Sequence, residues 1–221
     1  MNVDELRQDN KIWGTKDINF WAFLSVMLVK MKPKSILEIG SGRSTTFLAD
    51  SAFENQSLLL SIEESGDWMK YISNSLECMC LPNKCIIHMP VNKDGWYDVD
   101  EFSLNTRLFN QTFDLVFVDG PSGIAKRAHK EGANRIAHAC RNARMVIVDD
   151  THHSSGQYLL DAILSARNYS GKITFDYKQR RWAKKIHEKE RDLITTDDNQ
   201  AVILTDDTLA KTAEEIFTFL K

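Results

Sequence analysis

Apolar runs of strand length alternate along the chain with longer stretches of helical period. Ser35–Ile39 is a short apolar run that ends at Gly40, and Leu58–Ile62, Cys85–Met89, Leu115–Val118 and Met145–Val148 repeat the pattern. Helical spacing between and after them predicts helices over Ser44–Phe53, Asp67–Leu76, Ala125–Cys140 and Gly156–Arg167. The strand runs are continuously apolar rather than alternating, which marks strands covered on both faces, as in a parallel sheet with crossover helices. Repeated strand–helix units therefore predict an α/β fold with a doubly wound, mostly parallel sheet. The tail breaks this rhythm. Lys172–Tyr177 and Ala201–Thr205 read as strands with no apolar helix between them, so an antiparallel arrangement is expected at the C-terminal end of the sheet. A last helix is expected over Thr208–Leu220.

The longest apolar stretch, Phe20–Met31, reaches only about two-thirds of a membrane span and contains Ser25 and Lys30. It is expected to be a buried helix, so residues 1–34 read as a helical addition packed on a domain formed by residues 35–221. Within it Trp13, Phe20, Trp21 and Phe23 make an aromatic-rich front end.

Composition narrows the class. The chain has 221 residues, 43 % of them hydrophobic, enough for one full core and too little for two independent ones. The formal net charge of −3 gives no electrostatic footprint for nucleic acid. The opening MNVDELRQDN is polar and acidic, unlike a signal peptide. Cys78, Cys80, Cys85 and Cys140 then read as reduced thiols in a cytoplasmic protein, and no membrane partner is expected. Cys78, Cys80 and Cys85 have no fourth ligand at a zinc-knuckle spacing. The basic stretch Lys178–Arg191 carries Trp182 but is diluted by Glu188 and Glu190, and reads as a solvated loop or helix rather than an RNA-contacting arm.

In an open α/β sheet, ligands bind beyond the carboxyl ends of the strands. The first such end carries Glu38-Ile39-Gly40-Ser41-Gly42-Arg43-Ser44-Thr45. Two glycines permit a sharp turn and close approach of a ligand, and the helix that follows offers free N–H groups, with Ser44 or Thr45 available as a cap. The second strand ends in Glu63-Glu64, about 20 residues beyond the glycines, where an acid can accept from both hydroxyls of a ribose. Glu63 is the better placed, while Glu64 reads as solvated or as the start of the next helix. A nicotinamide fingerprint would need glycine at Thr45.

These segments, ILEIGSGRSTTFLA and LLLSIEES, resemble the first two motifs of the Rossmann-like, seven-stranded (class I) S-adenosylmethionine-dependent methyltransferases. FDLVFVDGP resembles their fourth motif and MVIVDD their fifth strand, so the likeness spans roughly residues 35 to 205. Ser44 stands where the family often has its third glycine. The resemblance implies S-adenosylmethionine as cofactor. It implies that Gly40, Ser41 and Gly42 pass under its methionine part, that Glu38 orders the site around its amino group, and that Glu63 holds its ribose.

Past the fourth and fifth strands stand Asp119-Gly120-Pro121-Ser122-Gly123 and Asp149-Asp150-Thr151-His152-His153. Asp119, Asp149 and Asp150 can gather around a divalent cation such as Mg²⁺, as in the metal-dependent catechol-type O-methyltransferases that this part resembles more weakly. Those enzymes carry a lysine base where this chain has Ser122, and the wording VDGPSG is closer to sequences resembling carbohydrate O-methyltransferases. Without a metal, Asp119 is expected to bind the acceptor or cap a turn, and Asp150 to cap a helix. His152 and His153 are the candidate bases, because imidazole titrates near neutral pH. Lys126 and Arg127 can meet an anionic acceptor or form a solvated helix start. The expected activity is methyl transfer to an oxygen of a small molecule or sugar. A non-catalytic adenosyl-binding protein and an RNA methyltransferase are the alternatives on the same fold.

Overall fold

The computed structural model describes residues 18–82, 85–92, 97, 112–121, 130–149, 154–166, 171–176, 181–183, 200–205 and 207–220. In chain order its elements are α1 (Ile18–Met31), β1 (Ser35–Ile39), α2 (Arg43–Asn55), β2 (Leu58–Glu63), α3 (Gly66–Cys78), β3 (Ile86–His88), β4 (Leu115–Val118), α4 (Lys130–Cys140), β5 (Met145–Val148), α5 (Ser154–Ser165), β6 (Gly171–Asp176), β7 (Arg181–Ala183), β8 (Ala201–Leu204) and α6 (Asp207–Leu220). Strands β1, β4 and β5 coincide with the apolar runs read from the sequence, and the other expected elements agree to within a residue or two wherever both ends are described.

The strands form one sheet of 8 in the order β3-β2-β1-β4-β5-β8-β6-β7. β3, β2, β1, β4 and β5 run parallel, with Leu37 opposite Leu60 on one side and Val116 on the other. β8 is antiparallel to both β5 and β6. The chain departs from expectation at β7, three residues within the basic stretch expected to be loop or helix. Arg181–Ala183 pairs antiparallel with β6, Trp182 opposite Phe175. The backbone ladder of β6 recruits this edge strand, so hydrogen bonding carries a signal that its charged composition hides.

Each face of the sheet buries its own core. On one face lie Ile36, Leu115, Phe117, Met145, Ile147, Val202 and Leu204, covered by α1, α2, α3 and α6. On the other lie Leu37, Ile39, Leu60, Ile62, Val116, Val118, Val146, Val148 and Ile203, covered by α4 and α5. This is why the strand runs are apolar at nearly every position, Glu38 and Ser61 being the buried exceptions that bond each other. α1 shows the helical logic clearly. Phe20, Trp21, Phe23, Leu24, Met27, Leu28 and Met31 form its buried stripe, while Val29 and Lys30 face outward. Fully burying one such side chain contributes roughly 1.5–3 kcal/mol. The helix stops at Lys32, which takes a left-handed φ of 45°, just before Pro33. Among the described residues no helix is long and apolar enough to cross a membrane.

Candidate active site

The two central strand crossings bring Gly40, Glu63 and Asp119 to one edge of the sheet. Gly40 N–H donates to Ile62 O at 2.8 Å, and Asp119 N–H to Ile39 O at 2.8 Å, so the ladder runs one residue past each strand. Gly40 has a φ of +90°. A Cβ on it would sit 2.8 Å from the backbone of Asp119 and Gly120, so only glycine lets the two loops close on each other. Gly42 is different: a Cβ there would meet nothing within 4 Å, which leaves open space above the start of α2. Gly42 has no side chain to cap that helix. Instead its own N–H is taken by Thr45 Oγ1 at 2.7 Å.

Below the turn, Glu38 is fully buried and accepts from three hydroxyls: Ser44 at 2.6 Å, Thr45 at 2.7 Å and Ser61 at 2.5 Å. Burial pushes its carboxyl up to about 7, against the pull of those three donors, with the charge of Glu63 adding a smaller push upward. The side chains of Ser44 and Thr45 are therefore turned inward onto Glu38, and any ligand contact at these two positions falls to the backbone. Glu38 orders the turn from inside: one carboxylate ties β1, β2 and the first turn of α2 together.

Glu63 works at the rim of the same turn. Its Oε2 accepts from Ser41 N–H at 2.9 Å and Ser41 Oγ at 2.7 Å, and its Oε1 accepts from Ser65 N–H at 2.8 Å. The acid thus braces the glycine turn and the N-cap of α3 at once, for Ser65 Oγ in turn accepts from Trp68 N–H at 3.2 Å. Glu64 lies between the strand and the helix rather than in either. It is half-buried, with Oε2 shielded from solvent, so the solvated position expected for it does not occur. Its carbonyl lies 3.0 Å from His88 Nε2.

Two aromatic residues that the sequence reading passed over belong to this edge. Trp68 Nε1–H donates to Ser41 O at 2.8 Å, and its ring, about two-fifths exposed at 38 %, stacks on Tyr71 with centroids 5.1 Å apart. Tyr97, tied to Val91 by a β-bridge, is 5 % exposed and rests its hydroxyl against Gly120. Glu64, Glu63, Asp119 and Glu38 act on that hydroxyl electrostatically, so the crevice is acidic. A tryptophan in the first turn after the Glu63-Glu64 pair was a usable signal for Trp68. Tyr97 had none, since it sits outside every periodic segment.

Beyond β4 and β5, Asp119 is exposed and Asp149 half-buried at the neighbouring strand ends, whose last residues Val118 and Val148 are paired. Asp149 N–H donates to Val118 O at 2.7 Å, and Asp149 Oδ1 accepts from Gln200 Nε2 at 2.9 Å. Asp150, His152, His153, Ser122, Lys126 and Arg127 lie outside the described residues. Two of the three carboxylates expected around a divalent cation are thus on view, one with an oxygen already engaged by an amide. Among the described residues no three His, Cys, Asp or Glu gather in a way that could hold a metal.

The architecture as a whole superposes on two solved structures. One is an O-methyltransferase from Bacillus cereus in complex with SAH, at a TM-score of 0.50 and 13 % identity, covering 90 % of this chain and 96 % of that one. The other is a Staphylococcus aureus protein named for caffeoyl-CoA O-methyltransferase activity, at a TM-score of 0.57 and 14 % identity, covering 93 % of each chain. The chain has the fold of these methyltransferases. No family model matches its sequence, and no curated protein does. In an open α/β sheet the ligand crevice lies beyond the carboxyl ends of the strands, and at those of β1, β2 and β4 the structure gathers Glu38, Gly40, Ser41, Gly42, Glu63 and Asp119.

Proposed function

We propose that this protein binds S-adenosylmethionine across Gly40–Gly42 and Glu63 and transfers its methyl group to an oxygen of a small molecule or sugar. The observation that carries the reading is the pairing of an open Gly42 with a buried acid, Glu63, on the neighbouring parallel strand end. The spacing suits a nucleoside lying across two strands: backbone N–H groups of the α2 start on one side, a ribose-accepting carboxylate on the other. When bound, S-adenosylmethionine supplies an electrophilic methyl group on a sulfonium.

The residues of the chain do the rest. Glu63 Oε2 already takes two donors from Ser41, so accepting both ribose hydroxyls requires Ser41 to give way, while Oε1 has one lone pair to spare. The acidic surroundings made by Glu38, Glu63, Glu64 and Asp119 favour a cation, and hence the sulfonium donor over its neutral thioether product. Asp119, exposed at the mouth, positions the acceptor hydroxyl. His152 or His153 removes its proton as the oxygen takes the methyl group. Orientation supplies most of the rate, because the leaving thioether needs no protonation. No step is assigned to a metal. Free thiols at Cys78, Cys80, Cys85 and Cys140 fit a reducing, cytoplasmic setting.

Isothermal titration with S-adenosylmethionine, S-adenosylhomocysteine and NADH tests this. Micromolar binding of both adenosyl ligands and none of NADH is expected. If neither adenosyl ligand binds, with or without Mg²⁺, the reading is wrong and the glycine turn is only a piece of fold.

A further inference from the structure

Tyr97 stands apart from the hydrogen-bond lattice around it. It is 5 % exposed, and its hydroxyl has no hydrogen-bond partner among the described residues. A buried hydroxyl left unpaired keeps its desolvation cost uncompensated, and phenylalanine would fill the same space without that cost. The oxygen occupies a specific place. It lies where a side chain on Gly120 would go, and Gly120 in turn packs on the backbone of Gly40, the residue of the turn with φ +90°. So the hydroxyl meets the floor of the crevice where the loops after β1 and β4 touch.

We propose that Tyr97 is a ligand-binding residue, whose phenol O–H donates a hydrogen bond to the adenosyl ligand held over Gly40 and Gly120. This rests on the adenosyl-binding reading above. Burial, followed by the charges of Glu64, Glu63, Asp119 and Glu38, holds the phenol well above its ordinary value. The group is therefore a neutral donor throughout the working range of pH and does not serve as a base. The bridge between Val91 and Tyr97 anchors the backbone, so only the packing over the buried hydroxyl has to give for the ligand to reach it.

The test is Tyr97→Phe in the full chain, titrated calorimetrically with S-adenosylmethionine and S-adenosylhomocysteine beside the unaltered protein, with thermal unfolding of both proteins free of ligand. Affinity for at least one adenosyl ligand should fall about three- to tenfold, the worth of one net hydrogen bond, while the unfolding temperature stays level or rises. Unchanged affinity for both ligands would overturn the proposal and leave Tyr97 as packing. A clear drop in unfolding temperature would also overturn it, by showing that the hydroxyl serves the fold. If the unaltered protein binds neither ligand, the parent reading falls and this one with it, an outcome distinct from equal affinity of the two proteins.

Discussion

The two halves of the crevice are built on opposite plans. At the ends of β1 and β2, Glu38 and Glu63 together accept six hydrogen bonds, three each, from Ser44, Thr45, Ser61, Ser41 and Ser65. At the ends of β4 and β5, Asp119 stands exposed and Asp149 is held from one side by Gln200. The first half is a rigid cradle made largely of backbone and short hydroxyl side chains. The second is a pair of carboxylates at an open mouth. A ligand common to many reactions suits a prebuilt cradle, whereas a particular acceptor is met by groups at an open mouth. Under the proposed function the contrast separates binding from chemistry, and substitutions on either side should fail in different ways.

The largest effect is expected on the open side. Asp119→Ala should lower turnover at least a hundredfold, the ordinary worth of a group that positions or activates an acceptor, while changing S-adenosylmethionine affinity less than about threefold. Release of S-adenosylhomocysteine in the presence of phenolic, catechol and sugar acceptors reads the first quantity, and calorimetry the second. An Asp119→Ala protein that keeps its turnover would remove Asp119 from the acceptor side. Loss of affinity instead would move it into the cradle and blur the division.

On the cradle side, Glu63→Ala should weaken adenosyl binding about a hundredfold, because two charge-assisted hydrogen bonds to a ribose disappear together. Ser41 and Ser65 lose their acceptor as well, so Glu63→Gln, which retains one acceptor oxygen, should fall between the two. Equal affinity in all three proteins would show that Glu63 only braces the turn.

The other cradle acid should respond to pH rather than to ligand. Glu38 is fully buried, and its carboxyl is raised from 4.5 to about 7. The folded chain holds this proton more tightly than the unfolded chain does. Its contribution to stability is thus complete below about pH 4.5, shrinks as the pH rises, and is gone above about pH 7. The loss amounts to as much as about 3 kcal/mol. Glu38→Gln keeps the shape and carries no charge, and the hydroxyls of Ser44 and Ser61 can turn to meet its amide. Urea unfolding at pH 5 and pH 8 should show the unaltered protein losing stability over that interval relative to Glu38→Gln. Parallel pH profiles would mean that the three hydroxyl bonds hold Glu38 ionised throughout.

The same contrast explains what could be read from the sequence. Strands covered on both faces are apolar on both sides, so Leu115–Val118 and Met145–Val148, and Ser35–Ile39 but for Ser35 and Glu38, announced themselves. The turn was legible because Gly40 is demanded by backbone geometry and Glu63 stands at a strand's end. What stayed hidden depends on neighbours distant in the chain. Glu38 reads as an acid that orders the turn, but that it does so through Ser61 on the next strand, 23 residues away, is visible only in the fold. Tyr97 acquires meaning only from the bare Cα of Gly120. β7 is a strand because β6 offers it a ladder.

The smallest effects sharpen the comparison within the turn itself, where two glycines two residues apart do different work. At Gly40 a side chain must adopt a φ of +90° and press 2.8 Å from the backbone of Asp119 and Gly120. Gly40→Ala should therefore cost about 2 kcal/mol of stability, seen as a lower urea midpoint, and should loosen the junction between the cradle and the mouth. At Gly42 the φ of −175° is extended backbone and the space above is empty. Gly42→Ala should leave the urea midpoint within about 0.5 kcal/mol of the original, yet weaken adenosyl binding several-fold, because the added methyl stands where the ligand must approach. The two variants thus separate a glycine required by the protein from one required by what it binds. If Gly42→Ala binds as well as the unaltered chain, the ligand does not pass over this turn, and the cradle must be sought on the Glu63 side alone.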